Sequence, residues 1–150
     1  QFAALLSRFA AEVRVITQPC HGLVEQVEKG ELDNAATRAL VRRYAEPLLR
    51  AGADTLILGC THYAFLRPVV QAVAGPEVAV IDTGAAVARQ LRRRLDELAL
   101  HAPQPMGGEQ FWSSGDCRRL QPVMSVLWGA PLQLQALPER YADAALSSPL

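Results

Sequence analysis

The chain has 150 residues, half of them hydrophobic and 20% charged, and its 15 basic and 15 acidic side chains leave a formal net charge of zero. That length supports one domain with a real core, or one lobe of a larger protein, and a mean hydropathy of +0.08 argues against a disordered tail. The charge balance removes nucleic acid and anionic membrane as main partners, and no apolar run approaches the roughly 18 residues of a membrane span.

No signal peptide opens the chain. It starts on Gln1, directly in an amphipathic pattern, which reads as a start in mid-protein. Residues Phe2, Leu5, Leu6 and Phe9 fall at helical spacing over Phe2 to Ala11. Val13 to Thr17 reads as a short strand, Pro19 to Gly22 as a loop, and Leu23 to Lys29 as a short helix stopped by Gly30. Asp33 is the expected N-cap of a long helix through Arg50, punctuated by Gly52, with Pro47 expected to kink or split it.

Asp54 to Gly59 is a continuous apolar run, the pattern of a strand covered on both faces. The loop Cys60-Thr61-His62 leads into a helix expected from Tyr63 to Ala74, then a strand at Val78 to Asp82 and a helix from Ala85 to Leu100. Arg89, Arg92, Arg93 and Arg94 read as that helix's solvated face. His101 to Glu109, with two prolines and two glycines, is a linker. A strand at Gln110 to Ser113, a helix from Asp116 to Trp128 and a strand near Leu132 to Ala136 follow. Trp112 and Trp128 are expected in a core or between lobes. Alternation of this kind predicts an α/β fold with a mostly parallel sheet and flanking helices. In such sheets the ligand sits beyond the carboxyl ends of the strands.

Cys60 stands at such an end, after Gly59 and before a helix, where N–H groups of a helix start favour a thiolate. His62 can stabilise the thiolate as an imidazolium or pass a proton. Thr61 offers a hydroxyl and an N–H to a substrate carboxylate. A buried structural cysteine beside a capping threonine is the bland alternative, and the residues alone leave the two about even. Glu25 and Glu28 lie three apart on the short helix, so one can face the cleft. Asp82 reads as a cap for the helix that follows it.

Cys20, His21, Cys60 and His62 do not have the spacing of a structural zinc module, and no metal is expected. Three cysteines are too few and odd in number for a disulfide framework, which favours reduced thiols in a cytosol. Cys117 reads as an accessible thiol without a base. Neither a G-x-G-x-x-G nor a Walker-type loop occurs, so nucleotide binding lacks support.

The stretch from Ala53 to Tyr63, Ala-Asp-Thr-Leu-Ile-Leu-Gly-Cys-Thr-His-Tyr, resembles the second catalytic motif of the aspartate/glutamate racemase family. Gly-Cys-Thr-His is typical of its glutamate racemases; aspartate racemases usually carry Glu where His62 stands. The motif usually continues Tyr-Pro, and Ala64 departs from it. Cys20 to Gly30 resembles the family's Cys-Pro…Val-Glu-x-Gly segment, with the glutamate on Glu28 and His21 in place of proline. Val80-Ile-Asp-Thr83 resembles the family's Ile-Asp-Ser strand end. Phe111 to Asp116 resembles its late Phe-x-Thr/Ser-x-Gly-Asp segment.

The resemblance implies the carboxyl-terminal half of a two-lobed racemase fold. Residues 1–85 would be most of the second, catalytic lobe, 86–137 the segment returning to complete the first lobe, and 138–150 a tail. The family's Asp-Ser-Gly opening and its first catalytic Cys-Asn-Thr motif do not occur here. By resemblance, Cys60 is the acid/base for one enantiomer of glutamate, the L form by the family's pattern. His62 assists it and helps hold substrate, Thr61 binds substrate, and Glu28 is a polar partner at the cleft edge, to His62 or to the amino group. No cofactor is implied, the substrate is glutamate, and a cytoplasmic homodimer supplying D-glutamate to peptidoglycan is the family's usual setting. With one of two thiols, the chain is expected to be inactive alone. An aspartate or other racemase of the same fold, or a non-catalytic binding module, are the alternatives.

Overall fold

A computed structural model of the chain describes residues 13–101 and 107–138. The helix expected over Phe2 to Ala11 and almost all of the tail lie outside the described residues. In chain order the elements are α1 (Leu23–Glu28), α2 (Ala35–Arg50), β1 (Thr55–Leu58), a 3₁₀ helix (Thr61–Leu66), α3 (Arg67–Ala74), β2 (Ala79–Asp82), α4 (Gly84–Glu97), β3 (Phe111–Ser113), α5 (Cys117–Trp128) and β4 (Leu134–Ala136). The architecture is α/β, and both strand pairings are parallel: β1 with β2 and β3 with β4.

The longest helix shows how the sequence selects its own ends. Thr37, Val41 and Ala45 recur at four-residue spacing and are the buried residues of α2. Its N-cap is Asn34, whose side chain accepts from the Thr37 N–H at 2.8 Å, and not Asp33 as the sequence suggested. Asp33 instead pairs with Arg38 at 2.6 Å on the surface. At the other end Gly52 has φ +86°, its N–H reaches Leu49 O at 2.9 Å, and Ala53 N–H reaches Leu48 O at 3.1 Å. Those two bonds form a Schellman closure, which needs a left-handed residue that glycine supplies without strain. Pro47 neither splits the helix nor ends it. It falls in the final turn, where its missing N–H removes one hydrogen bond, to Arg43 O, and the helix runs on for one turn more.

One core holds the first sheet. Leu23 and Val27 of α1, Val41 and Ala45 of α2, Leu56 and Leu58 of β1, Leu66, Val69 and Val70, and Val80 of β2 form a single buried cluster. The buried Thr37 is satisfied within it: its hydroxyl donates to Glu31 O and lies 3.3 Å from the Gln26 side-chain amide. Leu127 of α5 also packs against this cluster. Beside the second sheet Phe111 of β3 and Trp128 of α5 stack edge-to-face at 5.0 Å; Trp112 and Trp128 are both about half exposed, so of the two positions expected for them, core or between lobes, the core is not where they lie.

Three further expectations are corrected. Val13 to Thr17 forms no strand, and Val13, Val15 and Ile16 are exposed. An apolar, β-branched run becomes a strand only where a neighbouring strand takes up its N–H and C=O groups, and among the described residues none lies beside it. The strand at Leu56 is covered on one face only: Leu56 and Leu58 point inward, while Ile57 is 70% exposed beside its register partner Ile81 at 48%. The helix expected from Tyr63 is a 3₁₀ helix as far as Leu66, and the α-helix begins at Arg67. Pro68 explains the break. An α-helix through residue 64 would need a Pro68 N–H to bond Ala64 O, and the proline ring would clash there; at the start of α3 the missing donor costs nothing.

Candidate functional site

The β1–3₁₀ junction positions the thiol. Leu58 closes the strand, Gly59 steps out of it, and Cys60 is the extended N-cap residue of the 3₁₀ helix, with Tyr63 N–H bonded to Cys60 O at 3.0 Å. Asp82 pairs with Leu58 across the sheet, so both strands end at the same edge. Asp82 accepts from Gly84 N–H at 3.0 Å, the first N–H of α4, but it stands one residue ahead of the N-cap Thr83 and is not the cap expected of it.

At that edge three side chains line up. Cys60 Sγ lies 3.9 Å from His62 Nδ1, and His62 Nε2 lies 3.5 Å from Glu28 Oε1. A carboxylate, an imidazole and a thiol therefore follow one another, each ring nitrogen facing one partner. Which nitrogen carries the proton is set by those partners: a carboxylate favours Nε2–H, leaving Nδ1 to accept from the thiol. The imidazole is partly open to solvent, and its carboxylate partner more so. Thr61 is exposed at the first position of the 3₁₀ helix, next to this row. Glu25 is exposed on α1 and close enough to Tyr63 for its charge to act on that hydroxyl.

Cys20 belongs to the neighbouring loop. Its thiol donates to Gln18 O at 3.3 Å, and burial pushes it up from the ordinary thiol range. The Tyr63 hydroxyl donates to Cys20 O at 3.0 Å, and the Tyr44 hydroxyl to His21 O at 2.8 Å. Tyr63 is itself pushed up, first by burial and then by the nearby Cys20, Cys60, Glu25 and Tyr44. Tyr44, whose partner is 23 residues away, carries no signal in the sequence, and Tyr63 is marked there only as the end of a motif and the start of a helix.

Cys20, His21, Cys60 and His62 do not converge on one point. Among the described residues no group of three or more His, Cys, Asp or Glu side chains is placed to hold a metal ion. Cys117 donates to Gly115 O at 3.7 Å at the start of α5. An open groove of about 600 Å³ is lined by Phe65, Arg67, Gln71 and Asp82 among others, with none of Cys60, Thr61 or His62 in its wall.

Residues 2–91 match the family model described as Asp/Glu/Hydantoin racemase. A glutamate racemase of Ectopseudomonas mendocina is 56% identical over 134 residues, 89% of this chain and 51% of that protein. One from Pseudomonas putida is 56% identical over 128 residues, 85% of this chain and 48% of its own length. The chain thus spans about half the length of the curated relatives it matches. Among solved structures, a glutamate racemase isoform of Bacillus anthracis matches 92% of this chain and 52% of its own with a TM-score of 0.80 at 23% identity, a likeness of fold. Escherichia coli glutamate racemase, solved with L-glutamate and the activator UDP-MurNAc-Ala, matches 90% of this chain and 52% of its own at a TM-score of 0.70 and 25% identity.

Proposed function

The chain belongs to the Asp/Glu/Hydantoin racemase family, and on that premise we propose that it carries one half of a cofactor-independent machinery interconverting L- and D-glutamate. The observation that carries this reading is the Glu28–His62–Cys60 row at the carboxyl edge of a parallel sheet. Racemisation removes a weakly acidic Cα hydrogen and returns a proton to the opposite face. Cys60, as thiolate, takes that proton and becomes the thiol, leaving a carbanion. A second thiol opposite donates its proton to the carbanion and becomes the thiolate; the roles reverse for the other enantiomer. Cys60 acts on the L form.

His62 steadies the Cys60 thiolate and contributes to holding substrate. Glu28 orients the imidazole, since a carboxylate on the far nitrogen fixes tautomer and ring plane. Thr61 binds the substrate, its hydroxyl and N–H suiting a carboxylate beside a helical start. Fixed donors at this edge meet the developing negative charge. Residues 1–85 form the catalytic lobe and 86–137 the segment returning to the other lobe. The working protein is a cytoplasmic homodimer that supplies D-glutamate for peptidoglycan. With a single acid/base thiol the chain is inactive by itself, because abstraction without an opposing donor does not invert the centre.

The test is deuterium exchange at Cα. The chain is incubated in D₂O with L- or D-glutamate, alone and together with the amino-terminal half of the Pseudomonas putida glutamate racemase, and proton NMR follows the Cα–H signal. Exchange and inversion are expected in the mixture and lost with Cys60→Ser. Inversion by the chain alone overturns the single-thiol reading. Exchange of aspartate but not glutamate moves the substrate and keeps the mechanism, whereas an inert mixture favours a binding module.

A further inference from the structure

Tyr44 and Tyr63 present their hydroxyls to consecutive backbone carbonyls. Tyr63 donates to Cys20 O at 3.0 Å, Tyr44 to His21 O at 2.8 Å. The next residue, Gly22, has φ +89° and is the N-cap of α1, where no side chain caps the helix. A six-residue helix without a cap is marginal, so its entry is fixed from outside. The two tyrosines reach that entry from different elements: Tyr44 from α2, with the Arg43 guanidinium 5.6 Å from its ring centroid, and Tyr63 from the 3₁₀ helix, next to His62.

We infer that Tyr44 and Tyr63 are positioning residues, a pair of hydroxyl ties that hold the start of α1 against the 3₁₀ helix and so set the reach of Glu28 to His62. The inference rests on the proposed role of the Glu28–His62–Cys60 row and extends it to two residues that touch neither thiol nor substrate. Glu28 ends α1, and His62 precedes Tyr63. The Tyr63–Cys20 bond therefore joins the two segments whose ends must meet, across 43 residues of chain. Gln26 of α1 also lies 3.3 Å from the Thr37 hydroxyl of α2, but in the second half of the helix; at the start of α1 the other packing is apolar, through Leu23, and resists sliding less than a hydrogen bond does because apolar contact is not directional.

The experiment reads the carboxamidomethylation rate of Cys60 at neutral pH in the intact chain, by peptide mass, with Cys117 as the reference thiol in the same sample. The variants are Tyr63→Phe, Tyr44→Phe, His62→Asn and Tyr63→Phe combined with His62→Asn, each checked for cooperative unfolding. Tyr63→Phe is expected to slow Cys60 roughly one-and-a-half- to threefold, within the loss an exposed Glu28–His62 pair can account for, without changing Cys117, and the combination to be no slower than His62→Asn alone, since coupled sites are not additive. Tyr44→Phe slows Cys60 in the same direction and keeps the inference testable if Tyr63→Phe does not fold. A slowed His62→Asn with wild-type rates in both tyrosine variants overturns the ties and leaves the row standing. Additive losses in the combination overturn them as well. A His62→Asn rate equal to wild type overturns the row, and the inference with it.

Discussion

Glu28 Oε1 stands 3.5 Å from His62 Nε2, while the other imidazole nitrogen faces the Cys60 sulfur at 3.9 Å. The Glu28 side chain is 63% exposed, so water screens the ion pair and its worth as attraction is small. Its value lies in orientation. Glu28→Gln keeps an acceptor at the same reach and is expected to leave Cys60 alkylation near the wild-type rate. Glu28→Ala is expected to slow it by about one-and-a-half- to fivefold, the 0.2–1 kcal/mol of an exposed pair. The difference is expected to persist as sodium chloride is raised, because screening within about 10 Å at 0.1 M weakens a charge attraction and leaves an orienting contact in place.

Alkaline stability follows from Cys20. Burial raises this thiol, so the folded chain keeps its proton where the unfolded chain, at an ordinary thiol value of about 8.5, has begun to lose it. Over that interval the native state binds more protons, so the contribution is complete at lower pH and disappears as pH rises through the native value. Tyr63, raised as well, adds a loss of the same sign further up. Urea midpoints are expected to fall between about pH 8 and pH 10, and to fall less in Cys20→Ala, which cannot ionise. Equal slopes in both proteins would remove Cys20 from the account.

The start of α2 separates two adjacent residues. Asn34→Ala removes the acceptor for Thr37 N–H and is expected to cost about 1 kcal/mol. Asp33→Ala removes only an exposed pair with Arg38 and is expected to cost about 0.5 kcal/mol or less. Urea denaturation of the two variants gives the comparison directly, and the reverse order would restore Asp33 as the cap.

The core packed on one face of the β1–β2 sheet and the residue on its open face should respond differently to truncation. Leu66 is fully buried, and Leu66→Ala is expected to cost roughly 2–5 kcal/mol through lost contact and the cavity left behind. Ile57 is largely exposed, and Ile57→Thr is expected to change stability by about 0.5 kcal/mol or less. A large loss at Ile57, measured by the same denaturation, would show that its face is covered in solution.

Elements with strong local signals were legible in the sequence: α2 from its four-residue apolar spacing and Gly52, β1 and β2 from their short apolar runs, and α5 from Asp116, whose side chain accepts from Arg118 N–H. Cys60, His62 and Glu28 could be singled out, but only folding sets the distances among them. What failed depended on something outside the segment. Val13 to Thr17 has strand composition and no partner, and composition does not carry a partner's position. Asn34 and Asp33 are equally good caps by type, and the choice falls to which side chain reaches Thr37 N–H. Tyr44 and Tyr63 find carbonyls 23 and 43 residues away, a relation that no periodicity encodes.

Helix α4 buries none of its residues, and Val87 and Leu91, one turn apart, are both exposed. At 14 residues it is near the length at which an isolated helix is barely stable in water, and the Arg94–Glu97 pair at 2.7 Å adds only a few tenths of a kcal/mol. Its backbone therefore opens on its own, without waiting for the core to melt. Four arginines, Arg89, Arg92, Arg93 and Arg94, lie within that helix, and each is a trypsin site. Brief digestion should cut there early, as at Arg14 in the exposed segment ahead of α1, while the peptide bonds of α2, which carries arginines too but is anchored by Val41 and Ala45, survive until the fold as a whole gives way.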